Sequence, residues 1–150
     1  MTEIQAAIGR IQLKKLADWQ ATRQKNAAIL TSHLNDLSAV KIPQPPSYVT
    51  HAFYKYYLFI RAERLKLDWT RDRILETLLK QHIPSFTGSC SEIYQENAFV
   101  QAKLQPQVRL PVAKQLGETS LLFLVHPTLT ADHMNIMGEK IATVIREASH

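Results

Sequence analysis

Arg109–Thr130, RLPVAKQLGETSLLFLVHPTLT, is the stretch that decides the fold. Its first part predicts a short helix: Pro111 suits a first helical position, and Gly117 suits a left-handed cap that ends it. Leu121–Val125 is then a continuous apolar run, bounded by Ser120 and Pro127 and too short for a helix. Such a run predicts a strand covered on both faces. His126-Pro127 stops it, because proline brings no N–H to a ladder and biases the residue before it toward extension. Thr130 is placed to cap a last helix, with Asp132 in the first turn where the helix dipole favours an acid. A buried strand between two helices needs covering layers, which the rest of the chain must supply.

Working outward, Thr2-x-x-Gln5 predicts a capping box at the start of a long helix. No proline interrupts the chain from Thr2 to Ile42, and the helix is assigned to residues 1–38. Leu13, Leu16, Ala27, Leu30, Leu34 and Leu37 approximate one apolar stripe. Ile4, Ile8 and Ile11 form a separate patch. Unbroken, the helix is about 50 Å long, whereas a 150-residue body is only about 40 Å across. Its first turns should therefore overhang, with the isoleucines covered by another chain or left exposed. Gly9 suggests a close backbone approach there. The competing reading is a break near Trp19 or Asn26 that folds the helix back.

The body, 39–150, begins with a rigid loop at Pro43, Pro45 and Pro46. His51–Arg61, HAFYKYYLFIR, predicts a strand with Phe53, Tyr57 and Phe59 on one face and Tyr54, Tyr56, Leu58 and Ile60 on the other. Its mixed aromatic and basic residues can also mean base stacking, but core packing with exposed tyrosine tips is the favoured reading. Asp68 is the expected cap of a helix carrying Ile74, Leu75, Leu78 and Leu79 and ending near His82. Ile83–Phe86 is extended. The polar stretch Thr87–Phe99 lacks a period, and Ser89-x-x-Glu92 can cap a short turn within it. Val100–Gln107 is loop or short helix. The closing helix should turn Met134, Met137, Ile141, Val144, Ile145 and Ala148 inward, with close packing at Gly138. The predicted fold is a single α+β domain: a two-layer arrangement of about three mixed or antiparallel strands, a long N-terminal helix and a C-terminal helix, with helices mainly on one face.

Composition narrows the function classes. At 45% apolar residues a true core is expected, and no run is long enough to span a membrane. One cysteine, Cys90, excludes an internal disulfide and suits a reducing, cytoplasmic setting. The net charge of +5 is spread among acids, so nucleic-acid binding, which needs clustered charge, is disfavoured. The four glycines form no phosphate-cradling motif, and the six histidines lack metal-ligand spacing. Cys90 as a nucleophile would need a depressed pKa, and Glu92 can be read as a proton donor or acceptor, though capping is the favoured role.

MTEIQAAIGRIQLKKL at the start and LPVAKQL, then LLFLVHPTLT, at the end resemble the C-terminal small domain of the DegT/DnrJ/StrS family of pyridoxal-phosphate sugar aminotransferases. The resemblance covers nearly the whole chain, and about the last third of a full-length member. It implies that the large N-terminal domain, with its Schiff-base lysine, is missing, so this chain alone contributes no catalytic residue and binds no cofactor. Pyridoxal phosphate belongs to the full-length enzyme, which moves an amino group from an amino acid to a keto-sugar nucleotide, as in cell-surface polysaccharide biosynthesis. The implied role here is a wall of the substrate cleft and part of a dimer surface, with a homodimer through the N-terminal helix. Where the family usually has a His-Tyr pair after the position of Ile83, this chain reads PSFTGSCSEIY. Ser89, Ser91, Glu92 and Tyr94 are therefore the substrate-side candidates. A non-catalytic interaction or ligand-binding module derived from this domain is the alternative. Met1 does not separate the two, since family members often carry Met there.

Overall fold

The chain opens on one long helix. In the computed structural model, which describes residues 1–150, α1 runs unbroken for 32 residues, Glu3–Leu34. The capping box forms as expected: Thr2 Oγ1 accepts from the Gln5 N–H, and Gln5 Oε1 accepts from the Thr2 N–H at 2.9 Å. There is no break at Trp19 or Asn26, and the helix ends at Leu34, short of residue 38. Asn26 is instead buried, its amide donating to the carbonyls of His126 (3.1 Å) and Leu129 (3.3 Å). That amide satisfies two acceptors in the turn that closes the last strand, so α1 is stapled to the C-terminal third.

The predicted stripe on α1 holds only in its second half. Ala27, Leu30 and Leu34 are buried, while Leu13 and Leu16 are exposed. The helix leaves the body before it reaches them. Ile4, Ile8 and Ile11 are likewise exposed, and a side chain at Gly9 would meet nothing within 4 Å. The close approach that Gly9 suggested is therefore absent within this chain.

Four strands form one antiparallel sheet in the order β1-β2-β4-β3, with β1 at Val40–Lys41, β2 at Tyr56–Ile60, β3 at Ser85–Phe86 and β4 at Ser120–Phe123. The register pairs Tyr56 with Phe123, Leu58 with Leu121 and Val40 with Ile60, so these residues share one face, and all are buried. They join α1, α2 (Arg71–Lys80) and α5 (Ala131–Ala148) in one apolar core. Tyr56 is tolerated there because its hydroxyl meets Thr31 Oγ1 at 2.9 Å; burial still raises the phenol pKa. Thr130 caps α5 and its inward face is as predicted, Met134 to Ala148. At Gly138 an added Cβ would stand 2.6 Å from His33 Cδ2, so the glycine lets α1 and α5 touch.

Several local expectations are corrected. The first long strand begins at Tyr56, five residues late, because Phe53 turns to φ +43° and Arg23 draws off the carbonyls of Phe53 and Tyr54. Tyr54 is consequently exposed rather than on the core face. The cap of α2 is Thr70, whose Oγ1 accepts from the Arg73 N–H at 3.1 Å; Asp68 is occupied by the Arg73 guanidinium. Leu79, expected on the apolar side of α2, is about half exposed. Finally, α4 (Pro111–Thr119) continues through Gly117, which is a contact glycine and not a left-handed cap. A Cβ there would overlap Ser91 Oγ. The stretch after Phe99 holds only the end of a short helix, α3 (Asn97–Gln101).

Candidate functional site

The second face of the sheet is the one the core helices do not fill. Tyr57 pairs with Leu122, Phe86 pairs with Leu122, and Phe59 pairs with Ser120, which places all five on that side. The polar loop after β3 crosses this face. It is pinned at two points.

The first pin lies at Gly88, which has φ +89°. A side chain there would press on Ser120 Oγ and the Tyr57 ring, both at 3.0 Å, so the backbone turn and the absence of Cβ are both needed. Ser120 Oγ donates to the Thr87 carbonyl at 2.7 Å, and Arg71, whose side chain is 13% exposed, donates to the Ser120 carbonyl at 2.8 Å. Ser89 then meets the Tyr57 hydroxyl at 3.0 Å.

The second pin is Glu92. Its carboxylate accepts from Arg109 Nε (2.6 Å) and Nη2, from the Tyr94 hydroxyl (2.5 Å), and from the Gln95 amide (3.1 Å). The Tyr94 hydroxyl accepts in turn from the N–H of Leu110, the residue that opens α4. The Arg109 and Tyr94 bonds hold the Glu92 carboxyl down to about 2, and Glu92 raises Arg109 above its ordinary value. A carboxylate with that pKa is neither a proton donor nor an effective base near neutrality. The capping expectation also fails: the turn at Ile93–Gln95 has no side-chain cap, because Ser89 is engaged with Tyr57 and Glu92 with Arg109. Glu92 is an anchor.

The four candidates thus divide. Ser89 is exposed and Ser91 half-buried beside Gly117, both lining an open hollow with Arg71 and Gly88. Glu92 and Tyr94 belong to the anchor that holds the loop in place. Cys90 is exposed and donates to Glu96 Oε1 at 3.3 Å; that bond first, with local desolvation and the Glu96 and Glu92 charges, pushes the thiol pKa up, against the nucleophile reading. Sequence reasoning missed Arg109 and Arg71. The only local signal for Arg109 is its place one residue before the Leu110-Pro111 helix start; its partner lies 17 residues away.

The residues present do not compose a site for pyridoxal phosphate. Nine of the ten lysines are exposed, and Lys55, the half-buried one, faces an open groove. No carboxylate lines that groove to hold a pyridine nitrogen, and the only left-handed glycine turn, at Gly88, is filled by Ser120 and Tyr57.

The pattern described as the DegT/DnrJ/EryC1/StrS aminotransferase family matches residues 1–142. An aminotransferase of Psychrobacter cryohalolentis, known by X-ray structure, is 42% identical with a TM-score of 0.90; the match covers 99% of this chain and 40% of that one. The UDP-N-acetyl-3-dehydro-α-D-glucosamine 3-aminotransferase of Acidithiobacillus ferrooxidans is 27% identical over 100% of this chain and 36% of its own length. An uncharacterized protein of Methanocaldococcus jannaschii is 27% identical over 98% of this chain and 37% of its own. The chain thus spans well under half the length of these relatives.

Proposed function

The chain belongs to the DegT/DnrJ/EryC1/StrS aminotransferase family, and from that premise we propose that it is the C-terminal small domain of an enzyme that moves an amino group from an amino acid to a keto-sugar nucleotide in the cytoplasm. The observation that carries this reading is the end-to-end match at 42% identity to 40% of an aminotransferase. Pyridoxal phosphate, held by the remainder of the enzyme, supplies the amino-group transfer. This chain's residues wall the cleft. The Glu92–Arg109–Tyr94 anchor fixes the loop, and Ser89 and Ser91 stand on its open side as substrate contacts. The overhanging half of α1, with Ile4, Ile8 and Ile11 exposed, fits a surface that packs on the N-terminal domain and on the second subunit of a homodimer.

The test is a chimera. The N-terminal part of the Acidithiobacillus enzyme, joined ahead of Thr2, should restore amino transfer to UDP-N-acetyl-3-dehydro-α-D-glucosamine. The chain alone, mixed with pyridoxal phosphate and trapped with borohydride, should give no stoichiometric single-lysine adduct. Such an adduct, or a folded but inactive chimera, would defeat the proposal.

A further inference from the structure

The longest strand stops short, and α1 stops it. Pairing between β2 and β4 ends with Tyr56 opposite Phe123. Continued in the same register, it would set Lys55 opposite Leu124 and Tyr54 opposite Val125, with Tyr54 on the core face beside Tyr56. The structure has neither pair. Val125 is buried, yet Tyr54 is 74% exposed, and Phe53 packs against the core instead. Phe53 at φ +43° makes that exchange, because a left-handed residue interrupts the alternation of faces.

A phenylalanine does not hold a positive φ unaided. Here side chains hold it. Arg23 Nη1 donates to the Tyr54 carbonyl at 2.9 Å and to the Phe53 carbonyl at 3.4 Å. Gln24 Nε2 donates to the His51 carbonyl at 3.3 Å, and His51 Nδ1 accepts from the Phe53 N–H at 3.0 Å. Arg23 is half-buried and enters no ion pair; its other partner is the Tyr54 ring, 5.6 Å away. Asn26, three residues along the helix, donates to the carbonyls of His126 and Leu129, past the end of β4. One turn of α1 thus holds the free ends of both strands and keeps the ladder from closing between them.

We propose that Arg23 is a positioning residue: from α1 it holds the turn at Phe53 open and so sets which way Tyr54 faces. The inference rests on the reading that the second face of the sheet walls a substrate cleft. It adds that the rim of this wall is set by the seat of α1 and not by the sheet alone. Leu16, seven residues before Arg23, is already exposed in the half of the helix that leaves the body. A shift of α1 under whatever packs on that half therefore moves Tyr54 with it, through one guanidinium.

The experiment compares Arg23→Met with the double variant Arg23→Met/Phe53→Gly, in the isotope-labelled chain and in the chimera. Arg23→Met keeps an apolar stem and removes the donors. The strands should then close, and nuclear Overhauser contacts between Tyr54 and Val125 should appear. Glycine adopts φ +43° without help, so adding Phe53→Gly should restore the wild-type shifts of Tyr54 and Lys55, although Tm falls further with loss of the phenylalanine ring. An arginine with a merely stabilising role predicts no such recovery. In the chimera, Arg23→Met should raise KM for the keto-sugar nucleotide roughly threefold or more with kcat within about twofold, and the double variant should return KM to near wild type. Unchanged Tyr54 shifts in Arg23→Met, a loss of fold that Phe53→Gly does not reverse, or a KM that ignores the switch would overturn the proposal. An inactive unmutated chimera, with the switch still seen in the labelled chain, sinks the aminotransferase reading and leaves the control of Tyr54 by Arg23 standing.

Discussion

Replacing Gly138 by alanine should destabilise the chain, although alanine is the better helix former. In α5 the exchange gains ~1 kcal/mol of helix propensity. Against this, the new methyl would stand 2.6 Å from His33 Cδ2, 2.9 Å from Cγ and 3.2 Å from Cβ. The imidazole must swing away, losing its 3.0 Å contact with Asn135 Oδ1, and α1 must retreat slightly. Overpacking of this kind costs ~1–3 kcal/mol, and the lost hydrogen bond about 0.5–1.5 kcal/mol. The net expectation is a loss of roughly 1–2 kcal/mol. His33→Ala removes the ring and leaves only the Cβ at 3.2 Å, a few tenths inside normal contact. In that background Gly138→Ala should be neutral or stabilising by up to ~1 kcal/mol. The cycle should therefore show a coupling of about 2 kcal/mol between the sites. Urea unfolding of the four proteins at equal m reads it directly, about 1 M in midpoint for an m near ~2 kcal/mol/M. If Gly138→Ala stabilises wild type as much as it stabilises the His33→Ala protein, the α1–α5 contact at this glycine is not what makes it a glycine.

Asn26→Ala should cost ~1–3 kcal/mol, because the His126 and Leu129 carbonyls lose their donor; thermal unfolding reads this, and an unchanged Tm would refute the staple. The Glu92 carboxyl has a folded pKa of about 2 against an ordinary 4.5, so its contribution should be complete above about pH 4.5 and fade as pH falls toward 2. A Glu92→Gln protein should lack that acid limb, and amide shifts of Ser89–Tyr94 should report loosening of the loop. Ile8→Asp should leave the midpoint of unfolding within about 0.5 kcal/mol of wild type, since the side chain is 54% exposed, yet weaken any self-association seen by sedimentation. A large loss of monomer stability would show that Ile8 is buried in its own domain.

What the sequence by itself determined is whatever depends on neighbours along the chain. The Thr2–Gln5 box, the Thr130 cap, the inward face of α5 and the buried run at Leu121 follow from spacings of a few residues, and all are found in place. The overhang of α1 also followed, because a helix without proline has a length that a 150-residue body cannot cover. Only the tertiary structure decided the rest. Arg23 reaches 30 residues to the Phe53 carbonyl and postpones a strand that aromatic alternation had started at His51. Glu92 meets Arg109 across 17 residues, which turns a capping signature into an ion-paired anchor. Gly117 is a glycine because Ser91 lies against it, not because a helix ends there. A local motif states which bonds a residue can make. When a distant charged donor supplies a stronger bond to the same carboxylate or carbonyl, that bond wins, and its partner is known only once the chain has folded.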